Sequence, residues 1–226
     1  DITPLREIAK SGDDILKKPF HLFPVQDPYN AEWKPTTEGR FMGQSHFTGA
    51  NKQRAAFINL WIPEPDNKEK IKMRVMNARG DTVRNWTTKA DTNFIRKYWR
   101  LTRNGMHTPS YRERKEDADP PSGPRVPPGA YTIEVVYKDD SARSDFVIQG
   151  DWRDPRSATD IAAREQSIAE YYRRAKPVVE AFDLLKEMKK TVSRVNSMVV
   201  NVEDSLQDSI KAMGKIMMDS IGTMME

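Results

Sequence analysis

Few residues of this 226-residue chain combine the chemistry and the spacing of a catalytic or metal site. The chain has no cysteine, so thiolate nucleophiles, thiolate metal ligands and disulfides are excluded. The three histidines, His21, His46 and His107, fall in irregular segments without a second ligand at helical or strand spacing. Glycine-rich phosphate loops and the HExxH and GxSxG motifs do not occur. We therefore predict no catalytic, cofactor-binding or metal-binding residue in this chain.

One acidic group has the composition of acid–base machinery. Glu113, Glu116, Asp117 and Asp119 follow one another in a segment, 108–128, that is rich in proline, arginine and lysine. Paired carboxylates can hydrolyse glycosidic bonds. A catalytic acid also needs a buried pocket that shifts its pKa, and the sequence indicates none here. We interpret the group as a solvated loop whose charges neutralise one another.

Aromatic side chains are the remaining candidates for ligand contact. Trp61, Trp86 and Trp99 lie in predicted strands, where tryptophan most often packs between sheets. Trp86 is the member of this set best placed to be exposed. Tyr29 and Trp33 lie in a proline-rich stretch with no regular pattern. We predict Trp86, Tyr29 and Trp33 as contacts for a ligand or a partner protein.

Composition narrows the classes of function. Hydrophobic residues make up 37% of the chain and charged residues 31%, with a net charge of +4. Basic and acidic residues are interleaved rather than gathered on one stripe, which argues against nucleic-acid binding. No apolar stretch approaches the roughly 20 residues of a membrane span. The residues from Asp1 onward resemble the middle of a chain, so we expect a piece of a longer protein.

Residues 51–150 show the period-two alternation of β-strands. Segment 55–62 is apolar on both faces, as in a covered strand, whereas 71–76 and 131–137 alternate between apolar and polar. About six or seven short strands with polar turns predict an antiparallel β-sandwich. Residues 1–50, rich in proline and aromatic residues, are predicted to be an extended lead-in that packs on a neighbouring domain.

The period changes to that of a helix in residues 151–226. Ser157 and Asp160 resemble a capping box at its start. A heptad-like apolar seam follows. The seam consists of Leu185, Met188, Val192, Val195, Val199, Val202, Leu206, Ile210, Met213 and Met217. One long helix and an antiparallel hairpin turning near 196–204 both fit; we favour the hairpin, because an apolar seam needs a partner and the same chain is nearest. A protein partner bound to helices 157–226, or self-association through them, is a second way to cover the seam.

Several motifs resemble a known family. Residues 71–84 look like the hairpin of immunoglobulin-like modules related to the flagellar hook-capping protein, and Trp99 and 128–131 (Pro-Gly-Ala-Tyr) fit the strands that follow it. The chain departs from that pattern after Trp99, where Arg100–Gly105 replaces an Asp-Leu-Arg-like turn. The resemblance implies an immunoglobulin-like sandwich.

The order of the flanking motifs is more specific. These motifs are Asp1–Leu5, Phe20–Pro24, Gly123–Gly129 and Asp154–Arg156, the last followed by Asp160 and Gln166. Together they resemble the C-terminal region of bacterial sortilin-like β-propeller proteins, which are often labelled glycosyl-hydrolase-like. The resemblance covers residues 1 to about 170, and the methionine-rich helical tail departs from it.

The resemblance implies a setting more than a chemistry. A β-propeller would precede Asp1 and be the module's first partner, and the protein would be exported to the periplasm, the cell surface or the medium. No catalytic residue carries over to this chain. The resemblance implies a non-catalytic accessory or interaction module, and alternatively a carbohydrate-contacting accessory domain of a glycoside-hydrolase-like enzyme. No cofactor is implied.

Overall fold

The computed structural model describes residues 2–31, 53–110, 112, 115, 117–199 and 204–225. In this part of the chain the protein is β-rich, with a long helix and a shorter one at its C-terminal end. It divides into two compact units, Asp1–Gly105 with Asp119–Ala162, and Met106–Ala118 with Ala163–Glu226. The first unit contains the strands, and the second contains most of the two long helices.

The first unit is built from short strands. The strands are β1 (His21–Leu22), β2 (Tyr29–Asn30), β3 (Ala56–Trp61), β4 (Lys70–Asn77), β5 (Thr82–Lys89), β6 (Phe94–Trp99), β7 (Thr102–Asn104), β8 (Ser122–Arg125), β9 (Gly129–Tyr137) and β10 (Asp140–Gly150). Helix α1 (Thr3–Ser11) and a 3-10 turn (Gly12–Asp14) precede them. The alternation of residues 71–76 and 131–137 therefore corresponds to β4 and β9, as predicted.

The strands form two larger sheets and one small ribbon. One sheet has the order β1-β3-β6 and the other β2-β10-β9-β4-β5, while β7 pairs with β8. Every pairing is antiparallel except that of β2 with β10, which is parallel. Apolar residues of both larger sheets, including Ile58, Ile95, Met73 and Val135, are buried in one common core. This burial explains their period-two spacing.

An aromatic cluster joins the two sheets at one end of the core. The ring of Trp99, at the end of β6, lies 5.9 Å from Tyr131 on β9 and 6.1 Å from Phe146 on β10. The indole Nε1 of Trp99 donates a 2.8 Å hydrogen bond to the carbonyl oxygen of Thr102. Trp99 is thus a core residue with its polar atom satisfied, as strand tryptophans usually are.

Residues 21–30 pass from one sheet to the other. β1 pairs with β3, and β2 pairs with β10. Between them the amide of Val25 donates to Ser144 Oγ (3.0 Å), and the amide of Val147 donates to the Asp27 carboxylate (2.8 Å). The described part of the predicted lead-in therefore lies on this chain's own sheets. Its prolines keep β1 and β2 only two residues long, because proline cannot donate to a ladder.

The helical region contains two helices, α2 (Ala158–Met198) and α3 (Asp204–Met224). The predicted capping box is confirmed: Ser157 Oγ accepts from the Asp160 amide (3.2 Å), and the Asp160 carboxylate accepts from the Ser157 amide (2.8 Å). The Asp160 carboxylate also accepts from the Ser157 hydroxyl (2.8 Å), and this bond, followed by the one from the Ser157 amide, lowers the pKa of the exposed Asp160 carboxyl. No helix in the described residues has an apolar stretch long enough to cross a membrane.

Burial on the helices follows only part of the predicted seam. Val192 and Val199 are buried as predicted, but Met188, Val195 and Met213 are exposed. A Cβ added to Gly214 of α3 would lie 2.3 Å from Asn196 Oδ1 on α2, so the two helices touch at this point. At about 100° per residue the seam is a narrow stripe on each helix, and it lies to one side of the contact between Asn196 and Gly214. Part of it therefore stays exposed.

Candidate interaction surfaces

The titratable residues of the described segments form no metal-binding group. Within those segments, no three His, Cys, Asp or Glu side chains are grouped closely enough to hold a metal ion. His21 Nε2 lies 3.1 Å from Glu7 Oε1, a local pair between β1 and α1. Glu113 and Glu116 lie outside the described residues.

The acidic segment instead covers the edge of a sheet. The Asp119 carboxylate accepts hydrogen bonds from the Thr87 amide on β5 at 2.9 and 3.1 Å. Asn104 Oδ1 accepts from the next free amide of the same strand, that of Asn85 (3.2 Å). Side chains that occupy edge amides prevent pairing with another strand. The role of Asp119 is therefore structural, because its carboxylate covers the edge amide of Thr87.

Arg84 of β5 also binds the same loop, through its backbone carbonyl groups. The Arg84 guanidinium donates to the carbonyl oxygens of Pro121 (2.6 Å) and Pro120 (2.9 Å). Burial lowers the pKa of Arg84 from its ordinary value, and the charge of Asp119 opposes this shift. The proline-rich segment is thus fixed to β5 at its C-terminal end.

Trp86 lies on the core side of β5. Its register partner is Met73, which is buried, and the indole is half-buried against the common core. This is the packing position that a strand tryptophan most often occupies. A fully exposed stacking platform, as for a sugar ring, is not formed by this side chain.

Tyr29 is the predicted contact residue that the structure leaves most open. Its side chain is 57% exposed and lies at a shallow hollow that Gln53, Arg54 and Phe57 also line. Arg54 Nη1 donates to the carbonyl oxygen of Ala31 (3.1 Å), which holds the guanidinium beside β2. Trp33 lies outside the described residues, so Tyr29, Trp86 and Trp33 are not brought together as one site.

The open face of the five-stranded sheet carries a charged ladder. Glu134 on β9 accepts hydrogen bonds from Arg143 on β10 (2.6 and 2.8 Å) and from Arg74 Nε on β4 (2.9 Å). The bond to Arg143 is the largest of the influences that lower the pKa of the Glu134 carboxyl. The ladder stabilises strand register and does not form a ligand site, because both carboxylate oxygens are occupied.

The helices expose a continuous set of apolar side chains, which we call the outer stripe. Its members are Leu184, Met188, Val195 and Met198 on α2, and Leu206, Met213, Met217 and Met224 on α3. Met213 is 65% exposed and Met224 is 70% exposed, although both are as apolar as the buried Val192. On α2 the spacings of four, seven and three keep the stripe on one flank. Such a patch indicates an interaction surface.

The charges of α3 lie on its other flank. Counting about 100° per residue from Gly214, the apolar residues of the outer stripe fall on one side of the contact with α2. The charged residues Asp208, Lys211, Lys215 and Asp219 fall on the opposite side. Ile216 is exposed as well and follows Met213 by three residues, so it lies at the edge of the stripe. The stripe on α3 is therefore free of charge along its length.

Two exposed features were not singled out from the sequence. Trp152, just before α2, is 90% exposed, and its Asp-Trp-Arg-Asp-Pro setting was the signal, since tryptophan among charges and proline is seldom a core residue. The split of the helical seam into a buried and an exposed flank was also missed. Consecutive apolar residues at 184–185 and 216–218 indicate this split, because neighbouring residues point to different sides of a helix and a single contact covers only one side.

Comparison with known proteins gives limited information. No protein-family model matches the chain, and no curated protein matches it. Among solved structures, the crystal structure of dimeric latent PorU from Porphyromonas gingivalis is similar, with 13% identity and a TM-score of 0.28. The match covers 44% of this chain and 8% of that one. A similarity at this level supports neither a shared fold nor a shared function.

Proposed function

We propose that this chain is a non-catalytic interaction module of a larger exported, sortilin-like β-propeller protein. The observation that carries the proposal is the outer stripe, an exposed apolar surface on α2 and α3. Monomeric proteins seldom expose apolar patches beyond a few hundred Å² unless something binds there. The Asp119 and Glu134 carboxylates, in contrast, are held in structural contacts with the strands.

An immunoglobulin-like topology is the finer description of the sandwich that we propose. Support comes from the chain's passage between sheets, with β1 paired to β3 and β2 paired in parallel to β10. The start of β9 provides further support, because Tyr131 Oη donates to the carbonyl oxygen of Pro127 (2.8 Å). A tyrosine bonded a few residues back at this corner is typical of such sandwiches.

An antiparallel hairpin is the arrangement we propose for α2 and α3. The short gap of residues 199–203 between them and the contact of Gly214 with Asn196 both support it. On each helix, the position of a residue can be given as its rotation about the helix axis from the side that contacts the other helix. In an antiparallel pair, residues with the same sense of rotation on the two helices lie on the same side of the pair. The α2 and α3 parts of the outer stripe satisfy this condition, so they join into one face, the hairpin face.

The link to a preceding propeller rests on the motifs at the sheet ends. Gly129 begins β9 with φ of +148°, a conformation that favours glycine. Pro128 and Tyr131 flank Gly129, so the Pro-Gly-x-Tyr motif marks the start of β9. The ordered motifs at 1–5, 20–24 and 154–156 are the further support for the sortilin-like setting and for export.

A binding measurement tests the proposal. The residues encoded upstream of Asp1 are expressed separately and titrated calorimetrically with the full chain. We expect binding that does not require a metal or a nucleotide. Absence of heat and of co-elution at about 100 μM, where even weak interfaces are populated, would contradict it.

A carbohydrate-contacting role is the second candidate, and the exposure of Tyr29 favours it. Tyrosine rings beside a hollow stack on sugar rings, and Arg54 and Gln53 supply donors nearby. A glycan array probed with the wild-type chain and with Tyr29→Ala decides this role. Binding lost in the variant supports it, and an array without signal removes it.

A further inference from the structure

We propose that the hairpin face binds a second copy of this chain, giving a symmetric dimer held together by four helices. The inference rests on the proposed function, because it names the partner of the same surface. It concerns the outer stripe, namely Leu184, Met188, Val195, Met198, Leu206, Met213, Met217 and Met224. Three properties of this stripe favour an identical partner over a different one.

The first property is area. Summed over its eight residues, the exposed surface of the stripe is roughly 900 Å², which compares with about 800 Å² per partner in a standard stable interface. The stripe alone thus supplies the surface of one half of a dimer. Flanking polar residues would add the rim that such interfaces have.

The second property is the absence of charge along the α3 half. In a two-fold interface the same surface of both chains is in contact, so each residue of the surface faces itself or another residue of that same surface in the partner. A charged surface would then bring like charges together, whereas methionine and leucine side chains are complementary to themselves. Ser209 and Ser220 border the stripe on α3, and the charged residues of that helix lie on the opposite flank.

The third property is the spacing. On α2 the stripe recurs at positions 184, 188, 195 and 198, with Thr191 at the missing step. On α3, positions 206, 213, 217 and 224 recur at intervals of four and seven. Intervals of three, four and seven are those of helices that pack at small crossing angles in bundles. Methionine, which adapts its shape, fills irregular gaps in such a core.

Sedimentation equilibrium on the full chain tests the proposal. We expect the wild type to have twice the monomer mass at micromolar concentration. Met213→Glu combined with Met217→Glu should raise the dissociation constant at least a hundredfold, because each buried charge is costly. Lys215→Glu, at an exposed position of the same helix on the flank opposite the stripe, is the matched control and should remain dimeric.

Other outcomes would overturn the proposal. A wild-type chain that stays monomeric at 100 μM, or a dimer that persists in the double variant, shows that the stripe does not bind a second copy. Far-ultraviolet circular dichroism verifies that each variant keeps its helices, and Met217→Gln repeats the test if a glutamate variant unfolds. A monomer that still binds the upstream segment, with binding lost in the double variant, refutes the dimer and leaves the proposed function intact. A wild-type dimer that does not bind the upstream segment supports the dimer and contradicts binding to a preceding propeller.

Discussion

The phenol of Tyr131 donates a 2.8 Å hydrogen bond to the carbonyl oxygen of Pro127, four residues earlier in the chain. Tyr131 is buried, and its ring stacks on Phe146 at 6.3 Å. The hydrogen bond therefore ties the turn before β9 to the aromatic cluster that joins the two sheets.

Tyr131→Phe should destabilise the sandwich by about 1 kcal/mol, the usual net contribution of one hydrogen bond. The ring packing remains, so the fold itself should be retained. Urea unfolding followed by tryptophan fluorescence measures the difference. Tyr98→Phe is the matched control, because Tyr98 is largely open to solvent and should change little. Equal effects of the two substitutions would show that the corner bond is unimportant.

Glu134→Gln should cost about 1 kcal/mol at neutral pH, a modest value because its partner arginines are about half exposed and screened by solvent. The folded-state pKa of Glu134 is lowered, mainly by the hydrogen bond from Arg143. Its stabilisation is therefore present above the unfolded carboxyl pKa, about 4.3, and is lost as pH falls through the lower folded value.

The pH dependence distinguishes this ion pair from simple packing. Stability of wild type and Glu134→Gln should differ at pH 7 and converge once the pH falls below the lowered folded-state pKa, where the carboxylate is protonated in both states. Glu64→Gln, at an exposed position in a loop, provides the control. A difference that persists unchanged at low pH would rule out a role for the charge.

The strands were largely predictable from local pattern. Segments 71–76 and 131–137 alternate because one face of β4 and β9 is buried, and Trp99 is in the core as tryptophan usually is. The pairing of residues 21–30 with both sheets was not predictable, since two-residue strands carry no periodicity. Their position depends on contacts with residues over one hundred positions away, such as Val25 with Ser144.

The helices show a different limit. The capping box at Ser157 and Asp160 is a local signal, and the structure confirms it. The choice of buried flank depends on which residues of α2 and α3 meet, and hydrophobicity alone does not distinguish them. Gly214 decides it locally, because only a residue without a side chain permits the approach to Asn196.

Two glycines of α3 should respond in opposite ways to the same change. Gly222→Ala should stabilise the helix by roughly 0.5–1 kcal/mol, because alanine has the higher helix propensity and its Cβ would meet no atom within 4 Å. Gly214→Ala should lose that gain, since its Cβ would lie 2.3 Å from Asn196 Oδ1. Thermal unfolding followed at 222 nm measures both.

A double substitution isolates the contact between the two helices. Asn196→Ala removes the side chain that the new Cβ would meet, so Gly214→Ala should become stabilising in that background. The resulting coupling should be on the order of 1 kcal/mol, as for neighbouring residues in contact. Gly214→Ala that stabilises the wild type as much as Gly222→Ala would show that α3 does not pack on Asn196.

Alanine substitutions of Trp86 and Trp152 should differ in their effect on stability, because the first side chain packs on the core and the second is exposed. Trp86→Ala should destabilise the sandwich by about 2 kcal/mol, less than a fully buried tryptophan, because its indole is half-buried against the core. Trp152→Ala should leave stability unchanged, since the side chain is 90% exposed. Urea midpoints give both values. If Trp86→Ala proved neutral, the indole would not be held by the core and a role as a sugar platform would regain support. A large loss from Trp152→Ala would instead show that this tryptophan is covered in solution, because an exposed side chain has no packing to lose.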